Sequence, residues 1–203
     1  MSESDRVALT FDAEHPDRSW CPPRAADRIL DLLAAASVRA TFFVQGRWAE
    51  AYPATARRIA DEGHLVGNHS HHHARMPLLH DQGLREDLGA ARDAIVEATG
   101  RDPRPWFRCP WGSGAEDPRV LAAIAAAGYR NVGWHVEAED WEPARTPQAI
   151  AADAVAGIRR HGDGAVLLLH TWPGGTVEAL PLVLGDLHGE TRFVTVDALA
   201  ELP

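Results

Sequence analysis

The chain has 203 residues, of which 45% are hydrophobic and 24% are charged, a composition typical of a soluble globular protein. Its formal net charge of −9 argues against nucleic-acid binding, because no excess of basic residues is available to replace the counterions of a phosphate backbone. No apolar run approaches the roughly 20 residues that a membrane-spanning helix needs, so no membrane partner is predicted.

Short apolar runs alternate with longer amphipathic stretches along the chain. The predicted strands are residues 7–11, 40–44, 64–66, 106–108, 131–134, 165–169 and 192–194. The predicted helices are residues 24–36, 54–62, 82–99, 118–127, 147–160 and 176–188. This alternation predicts one α/β domain over residues 1–203, with mostly parallel strands and outer helices. About seven such units in so short a chain favour a closed or nearly closed barrel, smaller than the usual eight-fold form.

The N-terminus and the cysteines predict the compartment. A strand-like segment begins by Val7, which leaves no room for the charged and apolar regions of a secretory signal. We therefore expect a cytoplasmic protein. Cys21 and Cys109 are too few for a disulfide framework and are expected to stay reduced there.

The most informative segment is His69-Ser70-His71-His72-His73. Histidines four residues apart lie on one face of a helical turn, so His69 and His73 are predicted to bind one metal ion. Imidazole suits zinc and its first-row neighbours, and a catalytic site commonly adds a carboxylate and keeps one position open for water. Taken alone, the segment is as typical of a polar surface tract.

Polar residues also follow the ends of several predicted strands, where the active sites of such folds gather. In chain order these residues are Asp12 and Glu14, then His69 to His73, then Arg108, then Glu137 and Asp140, and finally His170. Five strands thus deliver a histidine, an arginine or a carboxylate to one edge, which indicates a catalytic centre.

These segments have the order and spacing of five motifs of polysaccharide deacetylases, the NodB-homology domain of carbohydrate esterase family 4. Thr10-Phe11-Asp12-Ala13 resembles T-F-D-D, and the histidine segment at residues 69–73 matches H-[ST]-x-x-H. Arg108-Cys109-Pro110-Trp111-Gly112 resembles R-P-P-Y-G, and residues 137–141, ending in Asp140-Trp141, approximate D-x-x-D-W. Leu168-Leu169-His170 fits the last motif, a leucine just ahead of a histidine. Each motif is weak alone, and five in order make the chain similar to this family.

The resemblance implies a distorted (β/α) barrel of about seven strands and metal-dependent hydrolysis of an amide, which removes the acyl group of an N-acyl amine. The metal would polarise the amide carbonyl and lower the pKa of water towards about 7. Asp12 would be the general base, with Arg108 placed to orient it and hold it ionised. His170 would be the general acid for the leaving amine, supported by a carboxylate, of which Asp140 is the better match.

Three residues are implied to contact the substrate. The backbone N–H of Trp111, where relatives carry tyrosine, would help to hold the tetrahedral oxyanion. Trp141 and Leu168 would form walls of a small acyl pocket. Zn²⁺ is the expected metal, with Co²⁺, Mn²⁺ or Ni²⁺ as alternatives.

The main departure from the family pattern is Ala13, at the position where most relatives carry the carboxylate metal ligand. One interpretation is that Glu14 replaces it beside His69 and His73, because side chains two apart in an extended segment share a face with Asp12. Which of Asp12 and Glu14 binds metal and which is the base then stays open. The other interpretation is that a ligand has been lost, leaving a weakened enzyme or a binding module.

Several neighbours carry weaker expectations. His71 and His72 are expected to be solvated, and Ser70 either caps the turn or has a hydrogen-bonding role in the site. Cys109 is expected to pack rather than to react. His15, with Asp17 and Cys21, lies in a loop that would shape the substrate entrance.

The substrate cannot be read from the motifs. Members of the family act on chitin oligomers, peptidoglycan and acetylated xylan, and more distant ones hydrolyse small cyclic amides. For a cytoplasmic chain we expect a small soluble N-acyl compound, either an N-acetylated amino sugar or a natural-product intermediate that carries one. The alternatives are a ring-opening amidohydrolase for a cyclic imide or ureide, and a catalytically silent carbohydrate-binding module.

Overall fold

The computed structural model of the chain describes residues 4–15 and 24–203. The strands in this part are β1 (Asp5–Ala13), β2 (Thr41–Val44), β3 (Leu65–Asn68), β4 (Trp106–Phe107), β5 (Arg130–Asn131), β6 (Val136–Glu137), β7 (Ala165–His170) and β8 (Thr191–Val194). The helices are α1 (Ala25–Ala35), α2 (Gly46–Ala51), α3 (Pro53–Asp61), α4 (Asp81–Thr99), α5 (Pro118–Ala126), α6 (Pro147–His161) and α7 (Gly174–Asp186). Asp17 and Cys21 lie outside the described residues.

The chain divides into two compact units. Among the described residues, the first comprises 4–11, 24–41 and 134–203, and the second comprises 12–15 and 42–133. In the first unit the strand order is β6-β7-β1, and β8 pairs in parallel with the start of β1, from Asp5 opposite Thr191 to Ala8 opposite Val194. In the second unit the order is β2-β3-β4-β5, with parallel pairing from β3 to β5.

Parallel strands separated by helices confirm the predicted fold class, an α/β fold of the distorted (β/α) barrel type. Two short elements were not predicted, namely α2 and β6. With six and two residues respectively, they are too short to show the hydrophobic periodicity from which elements are predicted. The single domain over residues 1–203 stays a prediction.

Local sequence fixes where several helices begin and end. Thr146 Oγ1 accepts a hydrogen bond from the backbone N–H of Ala149 at 3.2 Å, and Pro147 occupies the first position of α6, where its missing N–H costs nothing. Asp117 caps α5 in the same way by accepting from Arg119 N–H at 2.9 Å. Gly100 ends α4 with a φ of 70°, a left-handed conformation that glycine adopts without a steric penalty.

The central strands are buried on both faces, which explains their near-continuous apolar runs. All four residues of β2 and all six of β7 are buried. In the second unit, Cys109 belongs to an apolar cluster with Met76, Phe107 and Tyr129. Burial raises the pKa of its thiol to about 12, so Cys109 packs as a neutral side chain. Among the helices of residues 4–15 and 24–203, none combines the length and apolarity needed to cross a membrane.

Candidate active site

A cluster of three buried potential metal ligands lies in the second unit and consists of Glu14, His69 and His73. The oxygen Oε2 of Glu14 is 3.2 Å from Nε2 of His69 and in direct contact with Nε2 of His73. One ligand atom from each residue lies within 4.8 Å of the others. The structure therefore brings together the three residues in which the sequence predicted a metal site.

Asp12 and Glu14 face the same side of the chain at the end of β1. Asp12 Oδ2 is 3.4 Å from Nε2 of His69, the atom that Glu14 also approaches. Ala13, between them, is fully buried. This is the alternation that an extended segment imposes, and it allows a carboxylate at position 14 to reach the histidines although position 13 carries a methyl group.

The helical turn predicted for residues 69–73 is wrong. Ser70 has a φ of 66° and His73 a φ of 58°, and the segment forms a bend. Two left-handed residues reverse the chain, and this reversal places His69 and His73 side by side with ring centroids 4.9 Å apart. The hydroxyl of Ser70 accepts a hydrogen bond from His73 N–H at 3.1 Å, so Ser70 caps the turn.

Two buried side chains that sequence reasoning missed hold this histidine loop, defined as residues 69–73. Asn68 Oδ1 accepts from Ser70 N–H at 2.8 Å. The carboxylate of Asp87, on α4, accepts from the backbone N–H groups of His71 and His72, each at 3.0 Å. A signal for Asp87 was present, since it is a carboxylate on the apolar face of an amphipathic helix, next to Leu88.

Helix α2 supports the histidine loop from another direction. Its first residue, Gly46, donates a backbone hydrogen bond to Ser70 O at 2.9 Å. A Cβ atom at Gly46 would collide with Nδ1 of His71 and would lie 2.9 Å from Cα of Ala91. His71 is half-buried rather than solvated because it packs against this glycine, whereas His72 is exposed as expected.

The surroundings of His69 favour a cation between the three ligands. Its Nδ1–H donates to Arg108 O at 2.9 Å, which leaves the lone pair of Nε2 directed at carboxylate oxygens. Burial disfavours the charged ring, but Asp12 and Glu14 outweigh that effect and raise the pKa of His69. Burial, with His69 as a nearby like charge, lowers the pKa of His73. Two imidazole nitrogens and one carboxylate form a donor set typical of catalytic zinc, so the residues fit a divalent metal.

A buried ion pair adjoins the cluster. Arg108 Nη1 donates to Asp12 Oδ1 at 2.9 Å, and both side chains are buried. Nε of Arg108 donates to Val132 O at 3.1 Å, and Nη2 donates to Gly133 O at 2.8 Å. Burial lowers the pKa of Arg108, and Asp12 opposes that shift. These three hydrogen bonds offset part of the cost of burying the arginine, and the bond to Asp12 holds that carboxylate beside the ligand cluster.

Trp111 lies at the exposed edge of the same cluster. Its indole Nε1–H donates to His73 O at 3.4 Å, and its ring centroid is 4.7 Å from that of His73. The side chain is held by one edge and remains 52% exposed. Trp111 has a φ of 60°, and the role predicted for its backbone N–H stays a prediction.

The first unit contains a second carboxylate–histidine pair. Asp140 Oδ1 accepts from His170 Nδ1–H at 2.7 Å. Asp140 Oδ2 accepts from the backbone N–H of His170 at 2.7 Å and from Thr176 Oγ1 at 2.6 Å. This arrangement fixes the His170 tautomer with its proton on Nδ1. Thr176 was missed because a threonine near the start of a predicted helix is usually interpreted as a cap.

The other predicted site residues of the first unit are close in sequence to Asp140 or His170. Leu168 is buried in β7, two residues before His170. Trp141 is 40% exposed, and its Nε1–H donates at 3.4 Å to Glu137. Glu137 is therefore an exposed partner of Trp141, and Asp140 is the carboxylate that contacts His170. The acyl pocket predicted for Leu168 and Trp141 stays a prediction.

Comparison with known proteins agrees with this geometry. The sequence profile of the polysaccharide deacetylase family matches residues 2–132. The chain belongs to the polysaccharide deacetylase family. A peptidoglycan-N-acetylglucosamine deacetylase of Bacillus cereus is 31% identical over 200 residues, which cover 95% of this chain and 67% of that relative. The chain is accordingly a metal-dependent hydrolase of an amide C–N bond.

Solved structures of polysaccharide deacetylases share the fold. T48 deacetylase, determined with substrate, is 32% identical and superposes with a TM-score of 0.80 over 96% of this chain and 89% of that one. A family 4 pseudoenzyme from Bacillus anthracis is 28% identical, with a TM-score of 0.81 over 98% of this chain and 66% of that one. Because the fold is common to both, the site residues carry the functional argument.

Proposed function

We propose that this polysaccharide deacetylase removes the N-acetyl group of an amino sugar, with one Zn²⁺ ion held by Glu14, His69 and His73. The observation that carries the proposal is the convergence of these three buried ligand atoms within 4.8 Å. Zinc is proposed because two imidazoles and one carboxylate are a common ligand set of catalytic zinc. Co²⁺, Mn²⁺ and Ni²⁺ can also bind imidazole or carboxylate ligands and are the alternatives.

The geometry favours Glu14 as the ligand and Asp12 as the general base. Asp12 gives one carboxylate oxygen to Arg108 and directs the other towards His69. Glu14 Oε2 approaches both histidines. A metal bound there would polarise the amide carbonyl and acidify water. Asp12 Oδ2 would take the proton of that water, while Arg108 keeps the carboxylate in one orientation.

His170 is proposed as the general acid that protonates the leaving amine. Asp140 binds Nδ1–H, so the proton to be transferred is held at Nε2. Asp140 also stabilises the positive charge that His170 carries before the transfer. Trp111, Trp141 and Leu168 are proposed to contact the sugar and its acyl group, since aromatic faces stack well on flat or apolar ligand surfaces.

An amino sugar as substrate is supported by the name of the Bacillus cereus relative, which acts on peptidoglycan N-acetylglucosamine. A small soluble substrate, such as a free amino sugar or a natural-product intermediate carrying one, is the size class we propose. The cytoplasmic location stays a prediction.

The test is release of acetate by the zinc-loaded full chain. Candidate substrates are N-acetylglucosamine, short N-acetylglucosamine oligomers, peptidoglycan fragments and a cyclic imide. We expect acetate and free amine in equal amounts from at least one soluble sugar. Consumption of the imide without acetate would favour ring opening, because that reaction frees no separate acid. A zinc-containing protein that binds these sugars and releases no acetate would refute the proposed function.

A further inference from the structure

We infer that His15 is a positioning residue that aligns Glu14 for the metal, an inference that rests on the proposed ligand set. The two oxygens of the Glu14 carboxylate have different neighbours. Oε2 approaches the two ligand histidines, whereas Oε1 lies 3.0 Å from Nε2 of His15. A small turn of the ring would align an N–H of that nitrogen with Oε1 and hold the carboxylate with Oε2 towards the metal.

Glu14 needs such a partner more than an aspartate would. A glutamate has one more rotatable bond than the aspartate that most relatives carry one residue earlier, so more side-chain entropy is lost when its carboxylate is held in one place. Metal-binding carboxylates are commonly oriented through hydrogen bonds to groups that do not touch the metal. His15 follows Glu14 directly and occupies this position in space.

The backbone of His15 is held in an unusual conformation that aims its ring at Glu14. Its φ is 55°, in the left-handed region that non-glycine residues rarely adopt. The buried side chain of Gln45 accepts from His15 N–H at 3.0 Å, and Gln45 N–H donates to Ala13 O at 2.9 Å. Such conformations persist where their surroundings fix them, and they concentrate at functional sites.

His15 also contacts a second ligand of the cluster. Its ring meets the ring of His73 edge to face, with centroids 4.6 Å apart, and lies 5.8 Å from the ring of Trp111. One side chain therefore touches two of the three ligands. Its removal would take one contact from Glu14 Oε1 and one from the ring of His73.

The experiment is a Zn²⁺ titration of the metal-free full chain against a chromophoric chelator, with the visible absorption of the Co²⁺ form as a second readout. His15→Ala should bind Zn²⁺ about 10- to 100-fold more weakly, the usual effect of removing an outer partner of a metal ligand. His15→Gln keeps an N–H donor at similar reach and should recover most of that loss. His72→Ala, which removes an exposed histidine of the histidine loop, is the matched control and should bind like the wild type.

The outcomes separate this inference from the proposed function. Wild-type Zn²⁺ affinity and an unchanged Co²⁺ spectrum in His15→Ala would overturn the inference alone. Equal losses in His15→Ala and His15→Gln, with circular dichroism showing both folded, would also overturn it. A wild type that binds Zn²⁺ tightly but releases no acetate would refute the proposed function and leave the role of His15 standing. A wild type with no tight Zn²⁺ site would refute both.

Discussion

The two units of the chain each place a histidine against a buried carboxylate, and the two pairs differ in how the carboxylate is satisfied. In the first unit, every oxygen of Asp140 accepts a hydrogen bond from a protein donor, two from His170 and one from Thr176. In the second unit, Glu14 Oε2 faces the Nε2 atoms of His69 and His73. The Nδ1–H of His69 is already given to a carbonyl.

This difference shows how the same residue types produce different chemistry. A carboxylate whose lone pairs are satisfied by protein N–H and O–H groups holds an imidazole in one tautomer and prepares it for proton transfer. A carboxylate oxygen that faces the Nε2 atoms of two imidazoles supplies, together with them, a donor set suited to a cation. The groups around each carboxylate therefore distinguish the pair proposed as a general acid from the cluster proposed as a metal site.

The largest expected effect comes from removing a ligand of the second unit. His69→Ala should weaken Zn²⁺ binding by more than about 100-fold, because even the loss of an outer partner costs 10- to 100-fold. Hydrolysis should fall at least as far. Elemental analysis after dialysis and an acetate assay measure the two effects, with His72→Ala as control. Full activity in His69→Ala would contradict the assignment of a metal site to the second unit.

The pair in the first unit should behave in the opposite way. His170→Ala should lower kcat by about 10²- to 10⁴-fold, the usual contribution of a general acid or base. Its Zn²⁺ affinity should equal that of the wild type, because His170 Nδ1 is bound to Asp140 and not to the metal cluster. Metal titration and steady-state kinetics on one preparation provide the check. A parallel loss of zinc and activity would contradict a separate role for this pair.

A smaller effect is expected at Thr176, which donates one hydrogen bond to Asp140. Thr176→Val should lower the free energy of unfolding by about 1.5–3 kcal/mol, the range for a hydrogen bond to a charged group. We expect kcat to fall by about 10-fold or less, with unchanged Zn²⁺ affinity. Thr176→Ser, which keeps the hydroxyl, is the control for urea unfolding and kinetics. Equal behaviour of Val and Ser would show that the hydroxyl contributes nothing.

The smallest effect concerns Cys109, beside Arg108. Burial raises the pKa of its thiol from 9.0 to about 12, so the folded state favours the neutral form. The resulting stabilisation is complete below pH 9 and is lost as the pH rises towards 12. In a Cys21→Ser variant, alkylation of the native chain should stay slow up to about pH 10, whereas the urea-unfolded chain should react with an ordinary thiol pKa. Fast native alkylation at pH 8 would indicate an accessible thiolate.

The sequence alone predicted the features that depend on the alternation of side chains along a strand and on the order of the family motifs. Asp12 and Glu14 share a face because strand residues alternate, and this rule needs no tertiary information. The sequence correctly predicted that His69 and His73 lie side by side. The reason given was wrong, because residues in the left-handed conformation, and not a helical turn, bring them together. A pattern of four residues cannot distinguish a helical turn from a reversal that distant groups stabilise.

Two supporting residues, Asp87 and Thr176, escaped prediction because their contacts are distant in sequence. Asp87 meets the histidine loop from 15 and 16 residues away, and Thr176 meets Asp140 across 36 residues. Neither separation leaves a periodic trace in the chain. Asp87 had a detectable signal in its position on an apolar helix face, and Thr176 had none beyond its place near a helix start.

Gly46 limits how this protein can change over evolutionary time. The missing Cβ atom lets α2 lie against the histidine loop, and any larger residue would displace His71 or the backbone of Ala91. In saturation mutagenesis at position 46, we expect variants to lose zinc before they lose the fold, because the displaced loop carries two ligands. We therefore expect related proteins to keep glycine at this position even where the substrate entrance varies, because a larger side chain would disturb the metal site.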